Sequence, residues 1–437
     1  MSIDQPFSFE STNGSMEIAR AHVRHGRLLD AERVYQQIAA EHPDDVEALR
    51  FLANAALARS EPGHAIALLS RAAQADRSNT GVLLELGLAY RNAQRMDEAR
   101  SVFAGIIESS NGSDTTARLL LANVLELDNR PEQALLQYFR AIVDAQSGDR
   151  WLSDSTTEPG MRRLVQHAMQ YTATERRKLF EHALQTFRRG MDVARLGRVE
   201  TALATYLRDG GGPPEDPRQK PTFMYIPSLG ADCYLDTTLF DWLPNWSARV
   251  SLLDHEALAC QKAFALPRSY QPFSLESIIE SRDAAAMPVQ HVPLYQRGIF
   301  FDSIKTQAPA LCELVEAAPL VRISNYAPEA AIIAVQPGNR TVRHHGRTNA
   351  FCMIVVVFCD SAPLQVMVGG ELRRLKANES LAFDPSFEFE FSATDDREAR
   401  ALAIEVWNPG VSQLERDALT ALTIAAVNFD TRLQELA

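Results

Sequence analysis

A chain of 437 residues is long enough for two or three domains, each with its own core. Hydrophobic residues make up 46% and charged residues 23%, an ordinary globular composition that excludes a fibrous or extensively disordered chain. The formal charge of -12 opposes phosphate backbones, and no Arg/Lys stripe interleaved with aromatics reverses this locally, so nucleic acid is excluded as a partner.

The opening MSIDQPFSFESTNGS lacks the basic start and apolar run of a secretory signal. No segment reaches the roughly 18 consecutive apolar residues of a membrane span. A soluble, cytoplasmic protein without a membrane partner is expected, with residues 1–11 as a disordered N-terminus. Cys233, Cys260, Cys312, Cys352 and Cys359 never form a CxxC pair, so they read as reduced thiols and not as a zinc knuckle or disulfide frame.

Over residues 12–147 small, large and medium apolar residues recur in step. Ala31, Ala65, Ala99 and Ala134 are followed four residues later by Tyr35, Leu69, Phe103 and Tyr138, and then by Ile38, Ala72, Ile106 and Ala141. The third copy is clearest, with Leu83, Leu86-Gly87 and Tyr90 on a first helix and Ala99, Phe103 and Ile106 on a second. Pro43 closes the first copy. This array resembles the tetratricopeptide repeat, which implies an α-helical solenoid whose concave side binds a protein or peptide. The alternative is an array that braces the next domain or mediates self-association.

Residues 148–208 stay helical, with Leu164, His167, Ala168, Tyr171, Leu179, Phe180, Leu184 and Phe187 at three- and four-residue steps, and read as a cap on the array. Arg162, Arg163, Arg176, Arg177, Lys178, Arg188 and Arg189 read as a solvated face. His167 lacks a partner at helical spacing and reads as packed or surface. The Gly/Pro cluster from Asp209 to Pro217 marks a linker at 209–221 and a domain boundary.

The remaining residues, 222–437, change character. Short strand-like runs at Ala330–Val335, Phe351–Phe358, Leu364–Val368, Leu381–Phe383, Phe387–Phe391 and Ala401–Trp407 are separated by turn signals such as Pro337-Gly338 and Gly369-Gly370. A mainly antiparallel double-sheet jelly roll is the expected fold, making the whole chain a multidomain α + β protein.

Within this domain Pro337-Gly338, His344-His345-Gly346, Thr348-Asn349, Val368-Gly369-Gly370-Glu371, Phe383-Asp384, Ser386-Phe387-Glu388 and Val406-Trp407-Asn408-Pro409 occur in fixed order. The series resembles the aspartyl/asparaginyl β-hydroxylase family. Tyr225-Ile226-Pro227-Ser228-Leu229 and Phe240-Asp241-Trp242-Leu243-Pro244 are similar to the start of that family's domain. The resemblance implies a double-stranded β-helix that binds Fe(II) through two histidines, binds 2-oxoglutarate, and inserts oxygen at the β-carbon of Asp or Asn.

The resemblance puts the first metal histidine on His344. It puts the second on Phe389, and a phenyl ring cannot bind iron. The arginine for 2-oxoglutarate falls on Ala399, with Arg397 and Arg400 nearby. Arg397 is expected on Ala399's side of the strand and Arg400 on the other. A second basic position falls on Met353 and a small polar one on Ile333. Alternation turns Glu388 and Glu390 away from a pocket lined by Phe387, Phe389 and Phe391. His344 then reads as a hydrogen-bonded turn histidine, Thr348-Asn349 as satisfying local backbone groups, and Asp254-His255-Glu256 and His291 as surface residues. The expected function is that of a catalytically impaired hydroxylase-like module that binds a protein or peptide. The alternative is an active Fe(II)/2-oxoglutarate dioxygenase with unconventional metal ligation.

Overall fold

The computed structural model describes residues 9–188, 193–264 and 289–436. Residues 1–8 of the expected disordered segment and Arg189 of the basic stretch lie outside the described residues. The chain divides into two compact units, the first holding residues up to Arg176 and the second running from Arg177 to Thr431.

The first unit is built of helical hairpins: α1 (Phe9–Arg24) with α2 (Leu28–Glu41), α3 (Val46–Ala58) with α4 (Pro62–Ala75), α5 (Thr80–Asn92) with α6 (Met96–Ser109), and α7 (Thr115–Leu127) with α8 (Pro131–Ser147). The four recurring alanines and the large residues that follow them are all buried. A Cβ at Gly87 would lie 2.6 Å from the Phe103 ring, so only glycine lets α5 approach α6 this closely. Gly87→Ala is expected to cost about 1–3 kcal/mol through overpacking, measured by denaturant unfolding.

The start of each hairpin after the first is fixed by a recurring cap. Asp45 accepts from the Ala48 amide at 2.8 Å, Asn79 from Val82 at 3.2 Å and Asp114 from Ala117 at 2.8 Å. Each turn inside a hairpin contains one left-handed residue, Gly26, Ser60, Gln94 and Asn129 in order. These caps and turns share the period of the core residues, so every level of the sequence specifies the same unit.

Helix α9 (Arg162–Arg188) contributes Val165 and Ala168 to the core of the array. Beyond Arg177 the helical sequence belongs to the second unit. Phe180 and Leu184, with Val199 and Leu203 of α10 (Gly197–Tyr206), share a core with Met224, Ile226 and residues of the C-terminal helix. The division at Arg176 therefore precedes the Gly/Pro cluster expected to mark it. That cluster breaks the helix, but the apolar stripe before it already packs on the second unit.

In the second unit follow β1 (Tyr234–Leu235), α11 (Leu243–Ser251), α12 (Asp254–Phe264), β2 (Val289–Gln296), β3 (Ile299–Phe300), α13 (Pro309–Ala317) and β4 (Ala330–Val335). Then come β5 (Phe351–Val357), β6 (Leu364–Val368), β7 (Glu371–Leu375), β8 (Ser380–Phe383), β9 (Phe389–Ser392), β10 (Ala399–Trp407) and α14 (Gln413–Gln434). One sheet runs β1-β8-β5-β10-β4-β2-β3 and the other β7-β6-β9, with antiparallel pairing between neighbours. Two facing antiparallel sheets are the expected jelly-roll arrangement.

The larger sheet is buried on both faces, which explains why β4, β5 and β10 read as unbroken apolar runs. Ile332, Ile354, Leu402 and Ile404 pack outward against Trp246, Cys260 and Leu311 of the helices. Ile333, Val335, Met353, Val355, Ala399 and Ala401 face inward and meet Phe383, Phe387, Phe389 and Phe391. This inner face holds the positions that the family resemblance singles out.

Candidate functional site

The segment after β4 pairs with β9. Thr341 donates its amide to the Phe391 carbonyl at 2.8 Å, and the Phe389 amide donates to the His344 carbonyl at 2.9 Å. His344 and Phe389 are thus direct cross-strand partners whose side chains share a face. Their rings lie 4.2 Å apart between centroids at 53°. The His344 Nδ1 lies 3.0 Å from the Val342 carbonyl. A carbonyl only accepts, so Nδ1 carries the proton and Nε2 the lone pair.

The turn from His344 to Asn349 is anchored in four ways. Gly346 sits so close to Pro385 that an added Cβ would lie 2.7 Å from its Cβ and 3.0 Å from its carbonyl. Arg347, 3% exposed, bonds Glu405 of β10 at 2.5 Å, donates to the Tyr326 carbonyl, and lies over the Tyr326 ring at 4.2 Å. Thr348 accepts from the Ala350 amide at 3.0 Å. Asn349 accepts from the Ile226 amide and donates to the Ile226 carbonyl, both at 2.7 Å. The partner of Asn349 is therefore distant in sequence, which corrects the expectation of purely local bonding.

Ile333, Met353, Phe389 and Ala399 are at most 1% exposed and lie together in the inner apolar cluster. Neither nearby arginine joins them. Strand β10 begins at Ala399, so the alternation that would turn Arg397 inward does not reach it, and Arg397 is exposed. Arg400 points to the other face and grips Asp254 at 3.0 and 2.7 Å and Glu398 at 2.9 Å. Glu390 pairs with Arg343 at 2.8 Å, and Glu388 lies 3.7 Å from the same guanidinium. A phenyl at 389 offers no lone pair and a methyl at 399 no charge, so these positions do not fit Fe(II) and 2-oxoglutarate in the family manner.

Asp254, Glu256 and His291 depart from their expected surface roles. Asp254 and Glu256 are buried: Asp254 holds Arg400, and Glu256 accepts from the Ala310 and Leu311 amides at 3.2 and 2.7 Å. His167 is exposed, within its expected packed or surface role, and its Nε2 lies 2.8 Å from the Glu126 carboxylate. His291 lies in β2, opposite Ile333, so it faces inward with Val289 and Val335. Its ring pKa is pushed down to about 4, first by burial and then by His344. Burial likewise lowers His344, although its bond to Val342 opposes the shift. Two imidazoles, neutral at physiological pH, therefore share the interior.

Asp384, in the turn between β8 and β9, is a further buried ionisable group. Burial raises its pKa to about 6, against bonds from the Ser386 amide at 2.7 Å and the Gln219 side chain at 2.9 Å. A folded value above the unfolded 3.8 means stability is fully present below about 3.8 and lost as pH rises through about 6. Asp384→Asn is expected to remove that slope and to stabilise the domain above pH 6 by roughly 1–3 kcal/mol, read from unfolding midpoints across pH.

Residues 256–409 match the family model of the aspartyl/asparaginyl beta-hydroxylases. The chain carries an aspartyl/asparaginyl β-hydroxylase-family domain. Residues 16–80 and 84–150 match tetratricopeptide repeats, so the β-hydroxylase-family domain follows a repeat array. No curated protein matches the chain. Among solved structures it is similar to MamA MSR-1 (20% identity, TM-score 0.29, covering 32% of this chain and 82% of that one). It is also similar to MamA AMB-1 (22%, 0.29, 34% and 80%) and to MamA from Desulfovibrio magneticus RS-1 (16%, 0.28, 30% and 75%).

Proposed function

We propose that this protein is a repeat-linked β-hydroxylase-family module that binds a protein or peptide without oxidising it. The observation that carries this reading is the Phe389 ring, packed 4.2 Å from the His344 imidazole where the second metal histidine would stand. The apolar side chains of Ala399, Met353 and Ile333 support it, because none of the three offers a cation to an anionic cosubstrate. With Fe(II) and 2-oxoglutarate supplied, no succinate is expected. Turnover that His344→Ala abolishes would defeat the reading.

The array supplies the binding surface. A cleft of about 410 Å3 in its first half is lined by Arg20, Arg24, Tyr35, Glu47, Phe51 and Asn54 among others, a mixed polar and aromatic surface in which Glu47 bonds both Arg20 and the Tyr35 hydroxyl. Net charge of -12 supports a protein rather than nucleic-acid partner. Among the described residues no helix is long and apolar enough to cross a membrane. The free cysteines support a reducing, cytoplasmic setting.

A second reading, an active dioxygenase with unconventional ligation, draws on His291. Its imidazole faces the inner cluster and is a donor that the family pattern does not call for.

A further inference from the structure

We propose that the repeat array binds an acidic peptide segment along the face that carries the cleft between α1 and α3, and that Arg91 pairs with the side-chain carboxylate of one Asp or Glu of that segment. This inference deepens the protein-binding reading above and rests on it. The surface follows from the repeat. Arg20, Val23 and Asn54 line the cleft, and Arg20 and Asn54 hold the same position in successive repeats. That position becomes Leu88 on α5 and Asn123 on α7, while the position of Val23 becomes Leu57 and then Arg91. Leu84, Leu88 and Arg91 stand at four- and three-residue steps on α5, so they form one stripe, and none of the three is fully buried. The face that begins at the cleft therefore continues to Arg91.

Charge is the second support. Arg20 is neutralised by Glu17 and Glu47 at 2.9 and 2.6 Å, and Arg50 by Glu85 at 2.5 Å. Arg91 differs. Its Nη1 donates to the Asn123 side-chain oxygen at 3.0 Å and its Nη2 to that of Asn92 at 3.3 Å, both neutral, and no carboxylate among the described residues forms an ion pair with it. Glu126, which holds the position of Arg91 in the next repeat, is engaged elsewhere: it accepts from the Tyr138 hydroxyl at 2.8 Å and lies 2.8 Å from Nε2 of His167. Arg91 is also partly buried, and burial pulls its pKa down with Tyr138 opposing. A partly desolvated cation without an anion is a ready partner for an incoming carboxylate.

The same balance selects the ligand. One uncompensated positive charge matches a single carboxylate, whereas a phosphate, nearly a dianion, calls for a second cation. Leu84 and Leu88 on the stripe suit an apolar residue beside the acid. Repulsion from the net charge of -12 is screened beyond a Debye length of about 8 Å, so the local guanidinium decides the contact.

The test uses the full-length chain. Random dodecapeptides displayed with blocked C-termini are selected on it, and the enriched sequences are measured as fluorescein-labelled peptides by anisotropy. They are expected to share an Asp or Glu beside apolar residues. Replacing that acid by its amide should weaken binding to the wild type by about tenfold or more, and to Arg91→Gln by less than about twofold. Arg91→Gln keeps a donor for Asn123, Arg91→Lys should retain part of the affinity, and the exposed Arg24→Gln should change it less than about twofold. The change of acid to amide lies in the peptide, so it reads the contact on unaltered protein. Enriched peptides without an acid, an amide loss as large in Arg91→Gln as in the wild type, or tighter binding of phosphoserine in place of the acid would overturn the proposal and leave the peptide-binding reading standing. Enrichment of no peptide at all would overturn both.

Discussion

Arg347→Met is expected to destabilise the β-domain by about 3–5 kcal/mol, because it leaves the Glu405 carboxylate buried without its cation. Both side chains are 3% exposed, and Glu405 also accepts from the Glu329 amide at 2.9 Å. Water cannot replace the guanidinium at either place. The double variant Arg347→Met, Glu405→Gln should recover most of the loss, since the glutamine oxygen still accepts from Glu329 and no charge remains. Urea unfolding of the wild type, both single variants and the double variant gives the coupling directly. Additive single losses would show that the pair does not hold the turn as a unit.

The repeat array was legible because each of its units repeats the same physical problem. An alanine and a large apolar residue recur at one period, joined after the first hairpin by a cap, and the hairpins follow that period from α1 to α8. The strands from β4 onward were legible as apolar runs between turns, except β7, whose Glu-Leu-Arg-Arg-Leu sequence is mostly exposed and shows no such run. What escaped was whatever depends on partners far apart in the chain. Arg347 and Glu405 are 58 residues apart, and no spacing rule joins them. Strand β2 was missed for a different reason. Its register is regular only from Val289 to Pro293 and then shifts between Pro293 and Tyr295, so the alternation is short, and a proline and two polar residues within it hide the strand that turns His291 inward. Asp254 and Glu256 looked like surface acids because their partners, Arg400 and the start of α13, come much later in the sequence.

Placing the family residues at 389 and 399 tests the non-oxidising reading proposed above. Phe389→His with Ala399→Arg is expected to lose several kcal/mol of stability, on the order of 3–5, as a packed ring is removed and an unpaired guanidinium enters an apolar core. Ala399 is fully buried, among Val335, Val357 and the phenylalanines, so the new cation has no carboxylate waiting for it within this cluster. A dicarboxylate ligand would supply one. The thermal midpoint of the double variant should therefore rise on adding 2-oxoglutarate with Fe(II), while that of the wild type stays unchanged. Phe389→His alone places an imidazole beside His344 and should permit metal binding without creating a response to 2-oxoglutarate. If instead the wild type already responds to 2-oxoglutarate as strongly as the double variant, then a cation other than residue 399 must reach the cosubstrate, and the apolar interior is not what separates this domain from oxidation.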